Sequence, residues 1–355
     1  MFDLNKGVKL KELSIDNYKI LKHFKISFCD KDDKPLPMVI LAGINGSGKT
    51  AILESIFGIK KINGLKLKVL QNNVEKYFDS NSSGLSIDKK GVKSFWYNDE
   101  IKNHILFFSY FIDLTNIKNF LPEYIQKLVF EYDVKASEVY QKIKENINQI
   151  FQDLNLYIEF DSRDAKGNIN FRNKLSNENF LIDDLSSGEK TLISELLFLY
   201  LSDIENQVIL IDEPELSLHP AWQNRVLKLY ESFAIKNNCQ IIIATHSPQI
   251  IGSAKPEYLR ILTFQDNSVK VLDNFNKSYG LEFNKVLLNI MGVKELRVPE
   301  VEEKFTKLKR YIQEKNSERF VELFAELEEI LGSDDTDLQL LKLQANLKGL
   351  NVPSN

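Results

Sequence analysis

The chain has 355 residues, of which 43% are hydrophobic and 11% aromatic, so it can bury a sizeable core and is not an intrinsically disordered protein. Its net charge of -4 comes entirely from residues 299–355, which hold 12 acidic and 8 basic side chains, and no general basic excess indicates nucleic-acid binding. The two cysteines lack the spacing of a zinc site or a disulfide framework, and no apolar run could span a membrane, so we expect a cytoplasmic protein without a membrane partner.

The first half of the chain mixes predicted strands and helices. Period-two hydrophobic alternation predicts two strands within residues 8–29, and the apolar run 38–41 predicts a buried parallel strand that leads into a helix over 49–57. Residues 60–103 are rich in lysine, asparagine and serine, which predicts loops and short strands at the surface. The remaining predictions are a buried strand at 104–113, a helix within 121–154, and a hairpin of 156–160 with 169–171.

From residue 181 onward, the pattern is typical of an α/β domain. The predicted elements are a helix at 189–202, a strand at 208–211, a helix at 221–236, and strands at 240–244, 259–264 and 269–272. Beyond Pro299 we predict only helices, with turns near 316–317 and 332–334. No long heptad array or internal repeat is present in the sequence.

A glycine-rich segment, residues 43–50, lies between the predicted strand at 38–41 and the helix that follows. It has the spacing GxxxxGK(S/T), in which glycines let backbone N–H groups face phosphate oxygens at a helix N-terminus. Lys49 can reach the β- and γ-phosphates, and the Thr50 hydroxyl can bind magnesium. The alternative is an ordinary glycine turn. The nucleotide-binding residues predicted here are Gly43, Asn45, Gly46, Ser47, Gly48, Lys49 and Thr50.

Two carboxylates, Asp212 and Glu213, directly follow the apolar strand at 208–211. Asp212 would lie near the magnesium ion, and Glu213 could polarise the attacking water as a general base. An apolar run that ends in Asp-Glu is a weak signal by itself, because many strands end in a solvated carboxylate. Together with the phosphate-binding segment, it becomes a strong one.

Two further segments are ambiguous by themselves. Residues 185–190 read Leu-Ser-Ser-Gly-Glu-Lys, which is typical of a helix N-cap at Ser186 or Ser187. Residues 244–247 read Ala-Thr-His-Ser and place His246 at the end of a strand.

In this order the four segments resemble the motifs of the ABC ATPase superfamily, and the resemblance covers about residues 8–275. The corresponding motifs, with the D-loop that follows Walker B, are Walker A at 43–50, the signature at 185–190, Walker B at 208–213, the D-loop at 215–219 and the switch histidine at His246. The resemblance implies ATP with Mg²⁺ as ligands, the metal being held by Thr50 and Asp212. It also implies a head-to-tail homodimer, in which the signature of one chain covers ATP bound to the other. Glu213 and His246 would be catalytic, and the signature residues predicted to bind nucleotide are Ser186, Ser187, Gly188 and Glu189.

The fold class implied by this resemblance is α/β, an ABC-type ATPase head followed by a small helical C-terminal extension. Such a head is a P-loop NTPase with a mixed central sheet, an antiparallel β subdomain and a compact helical lobe, which we place at about 60–155. We expect one ATPase domain at 1–280 and a helical region at 281–355 that could dock a partner.

The sequence departs from the superfamily pattern at two points. The signature reads Leu-Ser-Ser-Gly-Glu instead of Leu-Ser-Gly-Gly-Gln, as in SMC-like and OLD-like soluble branches, and we identify no Q-loop glutamine after the strand at 104–113. No aromatic residue is assigned to adenine stacking. Tyr18 could take that role or could be a core residue, and packing is the commoner use of an aromatic ring.

The residues after Walker B, Asp-Glu-Pro-Glu-Leu-Ser-Leu-His-Pro, resemble soluble DNA-repair and phage-defence ATPases more than transporter subunits. Only 134 residues separate Walker A from the signature, too few for the long coiled coil of an SMC protein. Asp335 and Asp337 superficially form a DxD pair, but a helix cap is the preferred interpretation, so we predict no nuclease in this chain.

The helical tail resembles that of PtuA-type ATPases, the subunits of Septu and retron defence systems that pair with a separate HNH nuclease. The alternative is a tail that packs only on its own domain. The leading hypothesis is therefore an ATPase that regulates a nuclease in antiviral defence. The competing hypotheses are a RecF-like ATPase that binds DNA or RNA without a nuclease, and a scaffold that binds ATP without hydrolysing it.

Overall fold

The structure is a computed structural model that describes the chain except residues 1, 5, 59–61, 63, 80–83, 88–92, 97–103, 109–125, 127–128, 131–134, 154–155, 164–168, 182–183, 202–203, 217, 266, 273–278, 294 and 351–355. The chain separates into two compact units, residues 1–286 and 287–355. The predicted domain division at 280 and 281 stays a prediction. Among the described residues, no helix combines the length and apolar character that crossing a membrane requires.

The described elements alternate between strands and helices up to residue 289 and are helical thereafter. The strands are β1 Val8–Tyr18, β2 Leu21–Ser27, β3 Met38–Ala42, β4 Lys66–Gln71, β5 Val74–Asp79, β6 Gly84–Ile87, β7 Lys93–Trp96, β8 Ile105–Phe108, β9 Ile158–Arg163, β10 Ile169–Asn173, β11 Asn179–Leu181, β12 Val208–Asp212, β13 Gln240–Thr245, β14 Leu259–Gln265 and β15 Ser268–Leu272. The helices are α1 Lys49–Phe57, α2 Ala136–Asp153, α3 Ser187–Leu201, α4 Pro220–Lys236, α5 Pro248–Ser253, α6 Phe283–Asn289, α7 Pro299–Glu314, α8 Ser317–Leu331 and α9 Thr336–Leu347.

The central sheet of the first unit is mixed and has the order β15-β14-β3-β13-β12-β8. All neighbouring pairs are parallel except β14 with β15. Every residue of β3 and β13 is buried, which explains their continuous apolar sequences. Ala42 pairs with Thr245, and Asp212 pairs with Ala244. The residues that follow β3, β12 and β13 therefore meet at one edge of the sheet.

A separate four-stranded antiparallel sheet, with the order β2-β1-β4-β5, forms the β subdomain. The two strands predicted within residues 8–29 are confirmed as β1 and β2, with a turn at Lys19 and Ile20. The surface position predicted for residues 60–103 is wrong for β4, because Leu67 and Val69 are buried. These two apolar residues alternate with lysines, so the segment is polar in composition although one of its faces belongs to the core.

The prediction of a helical lobe over about residues 60–155 is too broad, since strands β4 to β8 occupy much of its described part. Among the described residues, its long helix is α2, whose residues Val139, Ile143, Ile147 and Ile150 are buried at helical spacing. The strand predicted at 104–113 is present as β8, paired with β12 at the edge of the central sheet. Residues 109–113 and the Q-loop region after them lie outside the described residues.

The other strands and helices predicted in the first unit are present, and their described ends lie within three residues of the predicted ones, except that the helix predicted within 121–154 is described as α2 from Ala136 to Asp153. Strands β9 and β10 pair antiparallel as predicted, although the turn residues 166 and 167 lie outside the described part. The predicted α/β alternation from residue 189 corresponds to α3, β12, α4, β13, β14 and β15. The predicted α/β fold class with a mixed central sheet and an antiparallel β subdomain is likewise confirmed.

The second unit contains α7, α8 and α9, as the sequence beyond Pro299 predicts. Its core consists of residues from all three helices and the turn after α9, namely Phe305, Leu308, Ile312, Phe320, Phe324, Leu327, Leu338, Leu341, Ala345 and Leu350. Asp335 accepts a hydrogen bond from the backbone N–H of Leu338 at 2.9 Å. The interpretation of this aspartate as a helix cap is thus confirmed.

Candidate nucleotide-binding site

The glycine-rich segment after β3 forms a tight loop at the N-terminus of α1. Gly46 and Gly48 adopt left-handed conformations, with φ of 78° and 95°. A Cβ atom added at Gly48 would lie 3.0 Å from the Leu21 side chain, and one at Gly43 would lie 2.7 Å from the Ser47 hydroxyl. Both close approaches require glycine. The backbone therefore curls as the sequence motif predicts, with the start of α1 facing the loop.

Lys49 and Ser47 place buried polar atoms inside this loop. The Lys49 ammonium donates hydrogen bonds to the carbonyl oxygens of Gly43 at 2.8 Å and Ile44 at 3.0 Å, and burial lowers the pKa of this lysine. The Ser47 hydroxyl oxygen is buried and has no hydrogen-bond partner among the described residues. A buried ammonium and an unsatisfied hydroxyl at a helix N-terminus are a donor set that fits phosphate oxygens.

Thr50 and Asp212 meet beside the loop. The Thr50 hydroxyl donates to Asp212 Oδ1 at 3.3 Å, which links the first turn of α1 to the end of β12. Burial raises the pKa of Asp212 to about 6, and the Thr50 hydrogen bond opposes that rise. A hydroxyl and a carboxylate are hard oxygen ligands that fit Mg²⁺ when phosphate oxygens supply the remaining ligands.

Glu213 and His246 form a second pair at the same edge of the sheet. Glu213 adopts a left-handed backbone with φ of 51°, and its N–H donates to the carbonyl oxygen of Ala244 at 2.8 Å. Its Oε1 lies 3.0 Å from His246 Nδ1. Because a carboxylate only accepts hydrogen bonds, we assign a proton to Nδ1. The predicted general base is therefore held against the predicted switch histidine.

Glu215, to which the sequence analysis gave no individual role, is a buried residue that joins two loops. Its Oε1 accepts hydrogen bonds from the Thr245 hydroxyl at 2.6 Å, the His246 N–H at 2.8 Å and the Ser247 N–H at 3.1 Å. The only sequence signal was an additional carboxylate one residue after the Asp-Glu-Pro segment. Its hydrogen-bond partners are about 30 positions away in the sequence, so no local sequence pattern predicts these contacts.

Four of these groups, Lys49, Thr50, Glu213 and His246, line one cavity of about 580 Å³. Its lining residues are Lys19, Ile20, Asn45, Gly46, Gly48, Lys49, Thr50, Ala51, Glu213, Leu216 and His246. The predicted site residues Gly43, Ser47 and Asp212 are not among them. Lys19 and Ile20 were not predicted, because a turn between two strands carries no signal for its distance from the phosphate loop, whereas Leu216 lies in the predicted D-loop. Tyr18 does not line the cavity, and its hydroxyl donates to Glu54 Oε2 at 2.9 Å.

Comparisons with known proteins fit this arrangement. A family model described as "AAA domain, putative AbiEii toxin, Type IV TA system" matches residues 108–252, which include the signature, Asp212, Glu213 and His246 but not the glycine-rich loop. A crystal structure of an Smc head bound to the C-winged helix domain of ScpA has a TM-score of 0.50 and 16% identity, covering 75% of this chain and 97% of that one, and supports the fold alone.

Two curated relatives are similar to this chain in amino-acid sequence. The Retron Vc95 probable ATPase of Vibrio cholerae serotype O1 biovar El Tor is 25% identical over 68% of this chain and 54% of its own length. The Septu protein PtuA of Bacillus thuringiensis is 27% identical over 94% of this chain and 97% of its own length. The chain is similar to SMC-like ABC ATPases of the Septu and retron type.

The predicted signature segment, residues 185–190, forms a capping box at the start of α3. The Ser186 hydroxyl accepts from the Glu189 N–H at 3.3 Å, and Glu189 Oε2 accepts from the Ser186 N–H at 2.9 Å and hydroxyl at 2.6 Å. The predicted N-cap is thereby confirmed for Ser186. Ser186, Gly188 and Glu189 do not line the cavity of their own chain. Their predicted roles in nucleotide binding stay predictions, as does that of Ser187.

Proposed function

We propose that this protein binds ATP with Mg²⁺ and hydrolyses it as a subunit of an antiphage defence complex. The observation that carries the proposal is that Lys49, Thr50, Glu213 and His246 line one cavity, while Asp212 contacts Thr50 beside it. Lys49 supplies an ammonium group for phosphate, and Thr50 and Asp212 supply a hydroxyl and a carboxylate for magnesium. Glu213 and His246 supply a carboxylate for the water and an imidazole for the γ-phosphate.

Each group has a definite role in this proposal. Lys49 and the loop N–H groups bind the β- and γ-phosphates, while Thr50 and Asp212 hold Mg²⁺, which neutralises charge on phosphate oxygens when bound. Glu213 accepts a proton from the attacking water. His246, whose Nδ1 lies against Glu213, contacts the γ-phosphate.

The complete site in this proposal needs two chains arranged head to tail. Ser186, Ser187, Gly188 and Glu189 of a second copy would cover the nucleotide, because Ser186, Gly188 and Glu189 lie away from the cavity of their own chain. ATP then acts as part of the interface, and a single chain binds nucleotide but hydrolyses it slowly. The oligomer could contain more than two chains.

The defence role rests on similarity to the Septu protein PtuA along nearly the whole of both chains. In our proposal, the ATPase regulates a separate HNH-type nuclease that docks on the C-terminal region, residues 281–355. Leu340, Leu343 and Leu347 support this site, because they lie on one face of α9 and are 52%, 56% and 79% exposed. The acidic excess of residues 299–355 suits a basic, nucleic-acid-cleaving partner.

The decisive activity test compares wild type with Glu213→Gln. We expect the variant to bind a fluorescent ATP analogue as wild type does and to lose turnover by about 100-fold or more, because it lacks the base. Glu257→Gln, at an exposed carboxylate outside the cavity, serves as the control. Tight binding without phosphate release in the wild type would favour a non-hydrolysing scaffold instead.

The partner test is purification from the native host, followed by native mass spectrometry with ATP and magnesium. We expect a nuclease polypeptide at a fixed ratio, released by Leu343→Lys but not by Leu175→Lys, a substitution at a 73% exposed leucine in the first unit. A homodimer alone, together with ATP-dependent and salt-sensitive binding of DNA or RNA, would favour the RecF-like alternative.

A further inference from the structure

The loop after β12 and the loop after β13 are joined by side-chain hydrogen bonds from Glu215. This carboxylate is 5% exposed, and its Oε1 accepts three bonds from the consecutive residues Thr245, His246 and Ser247. The backbone of His246 is therefore fixed by a residue that lies two positions after Glu213.

Gln223, near the start of α4, makes a second connection between the same two loops. Its Nε2 donates to the carbonyl oxygen of Leu218 at 2.9 Å, and its Oε1 accepts from the Ser247 hydroxyl at 2.6 Å. The Ser247 hydroxyl also accepts from the Ile250 N–H and so caps α5. Glu215 is thus linked directly to residues 245–247, and Leu218 is linked to Ser247 through Gln223.

The connection reaches the ring of His246 as well as its backbone. Nδ1 of His246 lies 3.0 Å from Glu213 Oε1 and 3.4 Å from Glu215 Oε1. Leu216, the residue after Glu215, lines the same cavity as this ring. A displacement of Glu215 would therefore move the histidine relative to Glu213 and the cavity.

The second oxygen of Glu215 adds a separate observation. Oε2 is buried and has no hydrogen-bond partner among the described residues. Burying a carboxylate oxygen that accepts no hydrogen bond costs free energy. Joining two loops does not by itself account for that cost.

We propose that Glu215 is a positioning residue for ATP hydrolysis, and that with Gln223 it holds the backbone and ring of His246 in place relative to Glu213. The inference rests on the proposed ATPase function and names the residues that position its switch histidine. Neither Glu215 nor Gln223 contacts the reacting atoms in this account; both act through His246.

The test is a double-mutant cycle on the full chain, measuring kcat, KM and affinity for a fluorescent ATP analogue. We expect Glu215→Ala to lower kcat by about tenfold or more and to change nucleotide affinity by less than about threefold. In a His246→Ala background, Glu215→Ala should lower kcat by less than about twofold further, because both changes remove the same positioned ring. Glu215→Gln retains the accepting oxygen and should recover most of the lost kcat.

Glu231→Ala provides a matched control on α4. Glu231 is another hydrogen-bonded carboxylate, which accepts from Lys255 and the Tyr258 hydroxyl away from the cavity. We expect it to lower the unfolding temperature without changing kcat. The inference would be overturned if Glu215→Ala and His246→Ala had additive effects on kcat. It would also be overturned if Glu231→Ala lowered kcat as much as Glu215→Ala does. Either result would leave the ATPase proposal intact. Absence of hydrolysis by wild type would instead contradict the proposed function itself.

Discussion

The Tyr230 hydroxyl donates a hydrogen bond to Glu195 Oε1 at 2.9 Å, and both side chains are buried. Glu195 lies on α3, the helix that begins at the signature, and Tyr230 lies on α4, the helix that follows the D-loop. Burial raises the pKa of Glu195 to about 7, and the Tyr230 hydrogen bond limits the rise. The helix that begins at the predicted signature and the helix that follows the predicted D-loop are therefore joined by a carboxyl group that is partly protonated near neutral pH.

This pair predicts a pH-dependent stability. The folded protein binds the Glu195 proton more tightly than the unfolded chain does, so its contribution to stability is present below about pH 4.5 and is lost as pH rises through about 7. Relative to Glu195→Gln, wild type should lose up to about 3 kcal/mol of unfolding free energy between pH 5 and 8. Urea unfolding at several pH values measures this loss. Glu195 would be ruled out as the source of this loss if the unfolding free energies of wild type and Glu195→Gln changed in parallel with pH. The same would follow if Glu257→Gln altered the pH dependence as much as Glu195→Gln does.

Lys49→Ala should abolish nucleotide binding. The ammonium is the one charged donor of the phosphate loop among the described residues, and its loss should weaken affinity for a fluorescent ATP analogue by about 100-fold or more. Lys31→Ala, at an exposed lysine in the loop before β3, should bind normally. Retained affinity in Lys49→Ala would show that phosphate binds elsewhere.

Much of the site could be predicted because its signals are local. The spacing of Gly43, Gly48 and Lys49 specifies a loop at a helix N-terminus, and the apolar run before Asp212 specifies a buried strand that ends in a carboxylate. Both strands pair parallel with β13 in the central sheet, so these residues lie at the same edge of that sheet. The serine and glutamate spacing at Ser186 likewise predicts the capping box.

The parts that could not be predicted depend on long-range register. Glu215 meets Thr245 only because β12 pairs with β13 in the observed register, and no local pattern encodes that pairing. Ile20 reaches the cavity because its turn packs against Gly48. Strand β4 was misjudged because its buried Leu67 and Val69 alternate with Lys66 and Lys68 inside a segment of polar composition.

Gly48→Ala should impair both stability and binding. Its φ of 95° is strained for alanine, and the new Cβ would press on Leu21, so we expect a loss of about 1–3 kcal/mol in unfolding free energy together with weaker nucleotide binding. Gly280→Ala has a similar φ of 78° with no atom within 4 Å of the added Cβ. This control should lose stability but bind the ATP analogue as wild type does. Equal binding by both variants would contradict the assigned role of the loop.

Asp335→Ala should destabilise the second unit. The substitution removes the cap of α9 and the ion pair in which Arg297 lies 2.9 Å from Asp335, so we expect a loss of about 1–2 kcal/mol. Asp335→Asn keeps the capping acceptor and should recover about half of this loss. Chemical unfolding measures both variants, with the exposed Asp334→Ala as control. An unchanged unfolding midpoint for Asp335→Ala would contradict the capping role.

The central claim is that ATP is hydrolysed at a site made by two chains, and mixing two inactive variants tests it most directly. Lys49→Ala removes the phosphate-binding lysine, and Ser186→Arg blocks the signature that would cover the nucleotide of the partner. A mixed dimer of these variants contains one intact site, so random pairing should restore about a quarter of wild-type ATP turnover. Recovery at that level would support the two-chain site. A mixture as inactive as each variant alone, although native mass spectrometry shows that mixed dimers form, would contradict it.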